Sequence, residues 1–109
     1  RKGFYIDIGA FDPVRFSNTL RFYKRGWQGI NIEPNTIHWK RFQHQRPRDT
    51  NLNCGAGTSS GIMTFYLMDP PALSTFSKEW VREYQKKGFT IESTNFVSIR
   101  RLKDIFDQY

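Results

Sequence analysis

The first hydrophobic run, Phe4 to Ala10 (FYIDIGA), is nearly continuous, carries one acid, and is ended by Gly9. A short apolar run closed by a turn residue reads as a buried strand of a parallel sheet. Gly29 to Pro34 (GINIEP) is a second such run, closed by its proline, and Thr50 to Cys54 is a third, followed by a Gly55-Ala56-Gly57 turn. Two helices fit between them. Ser17 or Asn18 can cap one that continues through Leu20 and Tyr23 and stops at Gly26. Asn35 to Gln45 reads as the other, with Ile37 and Phe42 inward on a thin apolar stripe. Strand, helix, strand, helix, strand implies right-handed crossovers and a parallel sheet with helices on its faces.

Beyond Gly57 the pattern changes. Ile62 to Met68 is β-rich and follows a turn-prone Thr58-Ser59-Ser60-Gly61, so it is expected to hairpin back on the third strand. Asp69-Pro70-Pro71 breaks regular structure. Ser77 to Lys87 predicts a helix with Trp80, Val81 and Tyr84 on one face and Gly88 as its stop. Phe89 to Ile99 reads as extended. Leu102, Ile105, Phe106 and Tyr109, at offsets 0, 3, 4 and 7, begin a last amphipathic helix.

The 109 residues suit one small domain. The chain begins Arg1-Lys2 without an initiator Met and stops at Tyr109 inside a helical pattern, so it is read as a piece of a longer protein. The net charge of +7 raises a nucleic-acid or anionic-membrane reading. The basic residues are dispersed, from Arg21, Lys24 and Arg25 through Lys40, Arg41, Arg46 and Arg48 to Lys86, Lys87, Arg100 and Arg101, with no like-charge block. A solvated surface is the preferred reading, and nucleic acid is not an expected partner. No apolar run reaches the ~20 residues that span a bilayer, so no membrane partner is expected. The single cysteine, Cys54, allows no internal disulfide and fits a cytoplasmic setting. His38 and His44 lie six apart, off one helical face and without an acid cluster, so no metal site is expected. Trp27, Trp39 and Trp80 read as core or interface.

In an open α/β sheet a ligand binds beyond the carboxyl ends of the strands, where strand order reverses. Those ends carry Asp7-Ile8-Gly9-Ala10-Phe11-Asp12-Pro13, Ile32-Glu33-Pro34-Asn35 and Asn53-Cys54-Gly55. An acid at the second tip, Glu33, can accept both hydroxyls of a ribose, because a carboxylate offers two oxygens. Its plainer role is to begin the next helix favourably. A pyrophosphate needs a G-x-G-x-x-G turn, but here only Gly9 is present, with Phe11 and Pro13 further on. NAD and FAD are therefore disfavoured. S-adenosylmethionine has a ribose and no phosphate, so one close-approach glycine suffices. Asp7 either orients the loop or faces that cofactor's ammonium.

FYIDIGAFDP, RGWQGINIEPN (Arg25 to Asn35) and RPRDTNLNCGAG (Arg46 to Gly57) resemble, in order and spacing, the successive blocks of FkbM-family methyltransferases. The resemblance covers nearly the whole chain. It implies a Rossmann-like class I methyltransferase fold, S-adenosylmethionine as cofactor, and often O-methylation of a sugar or natural-product hydroxyl. The partner would then be a small-molecule or glycan acceptor. By position, Asp7, Gly9 and Ala10 would form the methionine-side loop, with Phe11 next to them also counted as cofactor-binding. Glu33 with Pro34 would clamp the ribose, and Asn53, Cys54 and Gly55 would lie near adenine. Phe11 stands where an Asn is common, which removes a polar contact. The resemblance also implies truncation after the third parallel strand, with a β-rich and helical extension, before an acidic Lys-Ile-Asp-Val-Glu-Gly-like strand. The chain is thus expected to be a partial cofactor-binding domain, inactive alone and without an assignable catalytic base. The exposed edge of its first strand would favour homo-oligomers. The competing reading is a non-catalytic binding or assembly module, and a basic nucleic-acid-binding domain ranks below it.

Overall fold

The computed structural model describes residues 3–9, 17 and 19–109. Contacts divide the chain into two compact units, Arg1–Ala56 and Gly57–Tyr109. The first alternates strand and helix: β1 (Phe4–Ile8), α1 (Leu20–Lys24), β2 (Gln28–Ile32), α2 (Thr36–Gln45) and β3 (Thr50–Leu52). Its strands form a sheet of order β1-β2-β3, and both pairings are parallel.

Register decides what each face carries. Tyr5 pairs with Gly29, Asp7 with Asn31, and Asn31 with Asn51. Side chains alternate between faces along a strand, so these residues share one face. Phe4, Ile6, Ile8, Ile30, Ile32 and Leu52 hold the other. Ile30 and Ile32 on the central strand are buried. Phe4 and Ile8, on the strand that edges the sheet among the described residues, are 57% and 54% exposed.

Ser17 lies where a cap was expected for α1. Its Oγ accepts from the Thr19 and Leu20 backbone N–H groups, both at 3.2 Å. Asn18, the alternative cap, lies outside the described residues. Asn35 caps α2, with its Oδ1 accepting from Ile37 N at 2.9 Å and His38 N at 3.3 Å. The predicted inward stripe of α2 needs correction. Phe42 is buried, but Ile37 is 64% exposed and His38 takes the inward place. Residues 38, 42 and 46 lie four apart on one helical line, and that line faces the polar side of the sheet. Trp39 follows it, donating Nε1–H to the Asn51 carbonyl at 2.9 Å.

The second unit is built on an antiparallel pair. β5 (Gly61–Asp69) pairs with β6 (Thr90–Arg101), and the sheet order is β4-β6-β5, where β4 is Gly55–Gly57. Two expectations change here. The Gly55-Ala56-Gly57 stretch is a strand, not only a turn. A Cβ at Gly57 would meet Ile99 Cγ2 at 3.0 Å, so glycine serves close strand approach there. The partner of Ile62 to Met68 is β6, not the third strand, because β6 offers a ladder along the whole of β5.

A short 3-10 turn, Pro71–Leu73, follows β5. Helix α3 (Lys78–Lys86) is capped by the Ser77 hydroxyl and stops at Gly88, whose φ is 91°. Only Val81 of its predicted face is buried; Trp80 is exposed and stacks on Tyr84, with ring centroids 5.8 Å apart. In the last helix, α4 (Leu102–Gln108), Ile105 is buried while Phe106 and Tyr109 are exposed, so its apolar stripe is narrower than the spacing implies. Phe65, Met68, Val81, Val97, Ile99 and Ile105 are the buried apolar residues of this unit. Among the described residues no helix is long and apolar enough to cross a membrane.

Candidate functional site

Parallel strands bring their carboxyl ends to the same edge of a sheet, and the tips of β1, β2 and β3 therefore adjoin. Gly9 follows β1 with φ of 65°, a left-handed conformation that favours glycine. Its N–H donates to the Ile32 carbonyl at 2.8 Å, tying the first tip to the second. Among the described residues, a Cβ added at Gly9 would meet nothing within 4 Å.

Glu33 is 5% exposed at the tip of β2. Its N–H donates to the Leu52 carbonyl at 2.9 Å, and its Oε2 accepts from Asn35 N at 2.7 Å at the start of α2. The plainer role is therefore filled. Asn53 clasps the second and third tips. Its Nδ2 donates to the carbonyls of Glu33 at 3.0 Å and Pro34 at 3.2 Å, while its Oδ1 accepts from the Thr36 hydroxyl at 3.1 Å.

The structure thus brings Asp7, Gly9, Glu33, Pro34 and Asn53 to three neighbouring strand ends. Cys54 is buried and Gly55 opens β4. Ala10 and Phe11, the remaining predicted loop residues, lie outside the described residues. Burial pushes the Asp7 carboxyl above the usual carboxylate range, against the Thr19 hydroxyl bond and the Arg46 charge, which both lower it.

A neighbouring constellation escaped the sequence reading. Arg46, taken there as a solvated surface charge, is 0% exposed. Its Nη1 donates to Thr19 Oγ1 and its Nη2 to Ser17 Oγ, each at 2.6 Å. Its guanidinium also lies 5.2 Å from the Phe42 ring centroid and 5.6 Å from that of Tyr23. Asp49, 3.9 Å from Arg46 Nη1, is buried beside it. The Asp49 carboxylate accepts from Tyr5 Oη at 2.5 Å, Gly29 N at 2.9 Å and Asn31 Nδ2 at 2.8 Å. Burial and then the Asp49 carboxylate hold the Tyr5 phenol above its usual range. Asn51 Nδ2 completes the set on the Arg46 carbonyl at 3.0 Å. The available signal was register: Tyr5, Asp7, Asn31 and Asn51 are polar where a parallel strand is usually apolar on both faces.

The order of the elements, the glycine turn and the acid at the second tip can be compared with known families. A family model described as the methyltransferase FkbM domain matches residues 7–109. The chain belongs to the FkbM methyltransferase family. No curated protein and no solved structure gives a significant match. The FkbM match spans all three strand tips and the second unit. Among the described residues of this FkbM chain, no group of three or more His, Cys, Asp or Glu residues could hold a metal ion.

Proposed function

We propose that the chain binds S-adenosylmethionine across the tips of β1, β2 and β3, as the cofactor-binding part of a Rossmann-like class I methyltransferase. Three features support this reading. The order β1-β2-β3, read backwards, is the first half of the doubly wound order 3-2-1-4-5-6, whose ligands sit beside the first strand. The methionine side of the cofactor would lie over Gly9, near the Asp7 carboxylate. Its ribose would meet Glu33, with Asn53 fixing the adjoining tip. The observation that carries the reading is the left-handed Gly9, whose N–H donates directly to the carbonyl of Ile32, the residue before Glu33.

When bound, the cofactor would supply a sulfonium methyl for in-line transfer to an acceptor nucleophile, with S-adenosylhomocysteine as the leaving thioether. The contribution of these residues is to hold and orient it. The acceptor we propose is a hydroxyl of a small molecule or glycan, and the setting cytoplasmic. Titrating S-adenosylhomocysteine into the isotope-labelled chain and following backbone amide resonances tests the placement. Shifts concentrated at Gly9, Glu33 and Asn53 are expected. Shifts confined to residues 57–109 would contradict it.

An assembly role has one observation in its favour, the exposure of Phe4 and Ile8 on the edge strand. Such an edge is a template for association whether or not the chain binds cofactor.

A further inference from the structure

We propose that Arg46 is a positioning residue for the cofactor site, acting on Asp7 through the hydroxyl of Thr19. The inference rests on the S-adenosylmethionine reading above, and goes beyond it by assigning a role to a buried cation remote from Asp7 in sequence. Arg46 follows the last turn of α2, whereas Asp7 stands near the end of β1. Thr19 lies between them. Its Oγ1 accepts from Arg46 Nη1 at 2.6 Å and donates to Asp7 Oδ2 at 3.2 Å. A hydroxyl has one proton, so accepting from a permanent cation leaves that proton for the carboxylate. The guanidinium thereby fixes the direction of the Thr19 proton.

The second arm of the same fork sets where Thr19 sits. Arg46 Nη2 donates to Ser17 Oγ at 2.6 Å, and Ser17 Oγ accepts from the Thr19 and Leu20 N–H groups, each at 3.2 Å. One planar guanidinium thus holds the residues that lead into α1 at two points, a geometry that the point charge of lysine does not reproduce. Asp49 is the nearest counter-charge, at 3.9 Å, and the Tyr23 and Phe42 rings pack against the guanidinium. Among the described residues, Thr19 and Arg46 are the polar groups recorded as acting on the Asp7 carboxyl. The consequence is that the Thr19 bond fixes the orientation in which the Asp7 carboxylate faces the cofactor or its loop.

The test uses the whole chain with Thr19→Val, which keeps side-chain volume but removes the hydroxyl, and Thr19→Ser, which restores it. Affinity for S-adenosylhomocysteine is measured by calorimetry, and the Asp7 carboxyl titration by carbon-detected NMR. Thr19→Val is expected to weaken binding about five- to tenfold, the effect of about one hydrogen bond, and to move the Asp7 midpoint upward. Thr19→Ser is expected to return both to wild type. A folded Thr19→Val chain with wild-type affinity and an unmoved midpoint overturns the proposal. If Thr19→Val does not fold, Ser17→Ala, which removes one arm of the fork at a half-buried position, decides. About two- to fivefold weaker binding supports the proposal, and unchanged binding overturns it. If the wild-type chain does not bind the ligand, the cofactor reading fails, while the Asp7 midpoint in Thr19→Val still decides the coupling.

Discussion

At Asp7, burial raises the carboxyl above the usual carboxylate range while the Thr19 hydroxyl and the Arg46 charge pull it down. An acid whose folded value is raised binds its proton more tightly folded than unfolded. It therefore destabilises the fold as pH rises from the ordinary value of 3.8 through the folded value, and the loss is complete above both. Asp7→Asn keeps an acceptor for Thr19 and removes the half-buried charge. It is expected to melt higher than wild type at pH 7, with the gap closing below the ordinary aspartate value, and to bind cofactor more weakly. Thermal melts across pH with a parallel ligand titration check both parts, and an Asp7→Asn chain less stable at neutral pH would contradict the first. Glu33 presents the reverse combination, since its Oε2 bond to Asn35 N supports the fold. Glu33→Ala should weaken cofactor binding by about 1.5–3 kcal/mol and cost about 1–3 kcal/mol of stability. Glu33→Gln should keep most of the stability while still binding more weakly. Denaturant melts and calorimetry on the two variants separate these effects.

Helix α2 shows how far the pattern of the chain reaches and where it stops. The helix was legible from its Asn35 cap and from Phe42, and so were the strands on either side. Its phase was not. Ile37 is the more apolar candidate for an inward position, yet His38, Phe42 and Arg46 take that line because the face they meet is polar. The partners that make this possible, Tyr5, Thr19, Asn31, Asp49 and Asn51, come from separate segments, and hydropathy records no such pairing. The same reasoning explains Arg46, since a lone cation in a basic chain reads as surface until its acceptors are placed. Glu33 and Gly9 were legible because their roles follow from strand-end position, which a short motif does encode. The element-scale prediction is a contrast within one helix. Ile37→Ser should change stability by less than about 0.5 kcal/mol. Phe42→Ala should cost about 3–5 kcal/mol, and Arg46→Met, which strands Asp49 beside Tyr5, about 3–5 kcal/mol. Urea unfolding of the three variants measures it, and an Ile37→Ser chain as unstable as Phe42→Ala would contradict the helix phase.

Across the molecule, the candidate cofactor residues all belong to the first unit, and the first unit is also where an edge strand exposes Phe4 and Ile8. Among the described residues β1 pairs with β2 alone, and such an edge together with these side chains favours association. Light scattering at ~100 μM is expected to show a dimer or larger species, and Phe4→Lys should reduce it. A monomer at that concentration would contradict the edge argument and leave the strand-tip site untouched. That site is the central claim, and calorimetric titration of the chain with S-adenosylmethionine, S-adenosylhomocysteine and NADH tests it most directly. The account predicts saturable binding of both adenosyl ligands and none of NADH, because the Gly9 turn lacks the further glycines that a pyrophosphate needs. Binding of NADH without binding of either adenosyl ligand would contradict it.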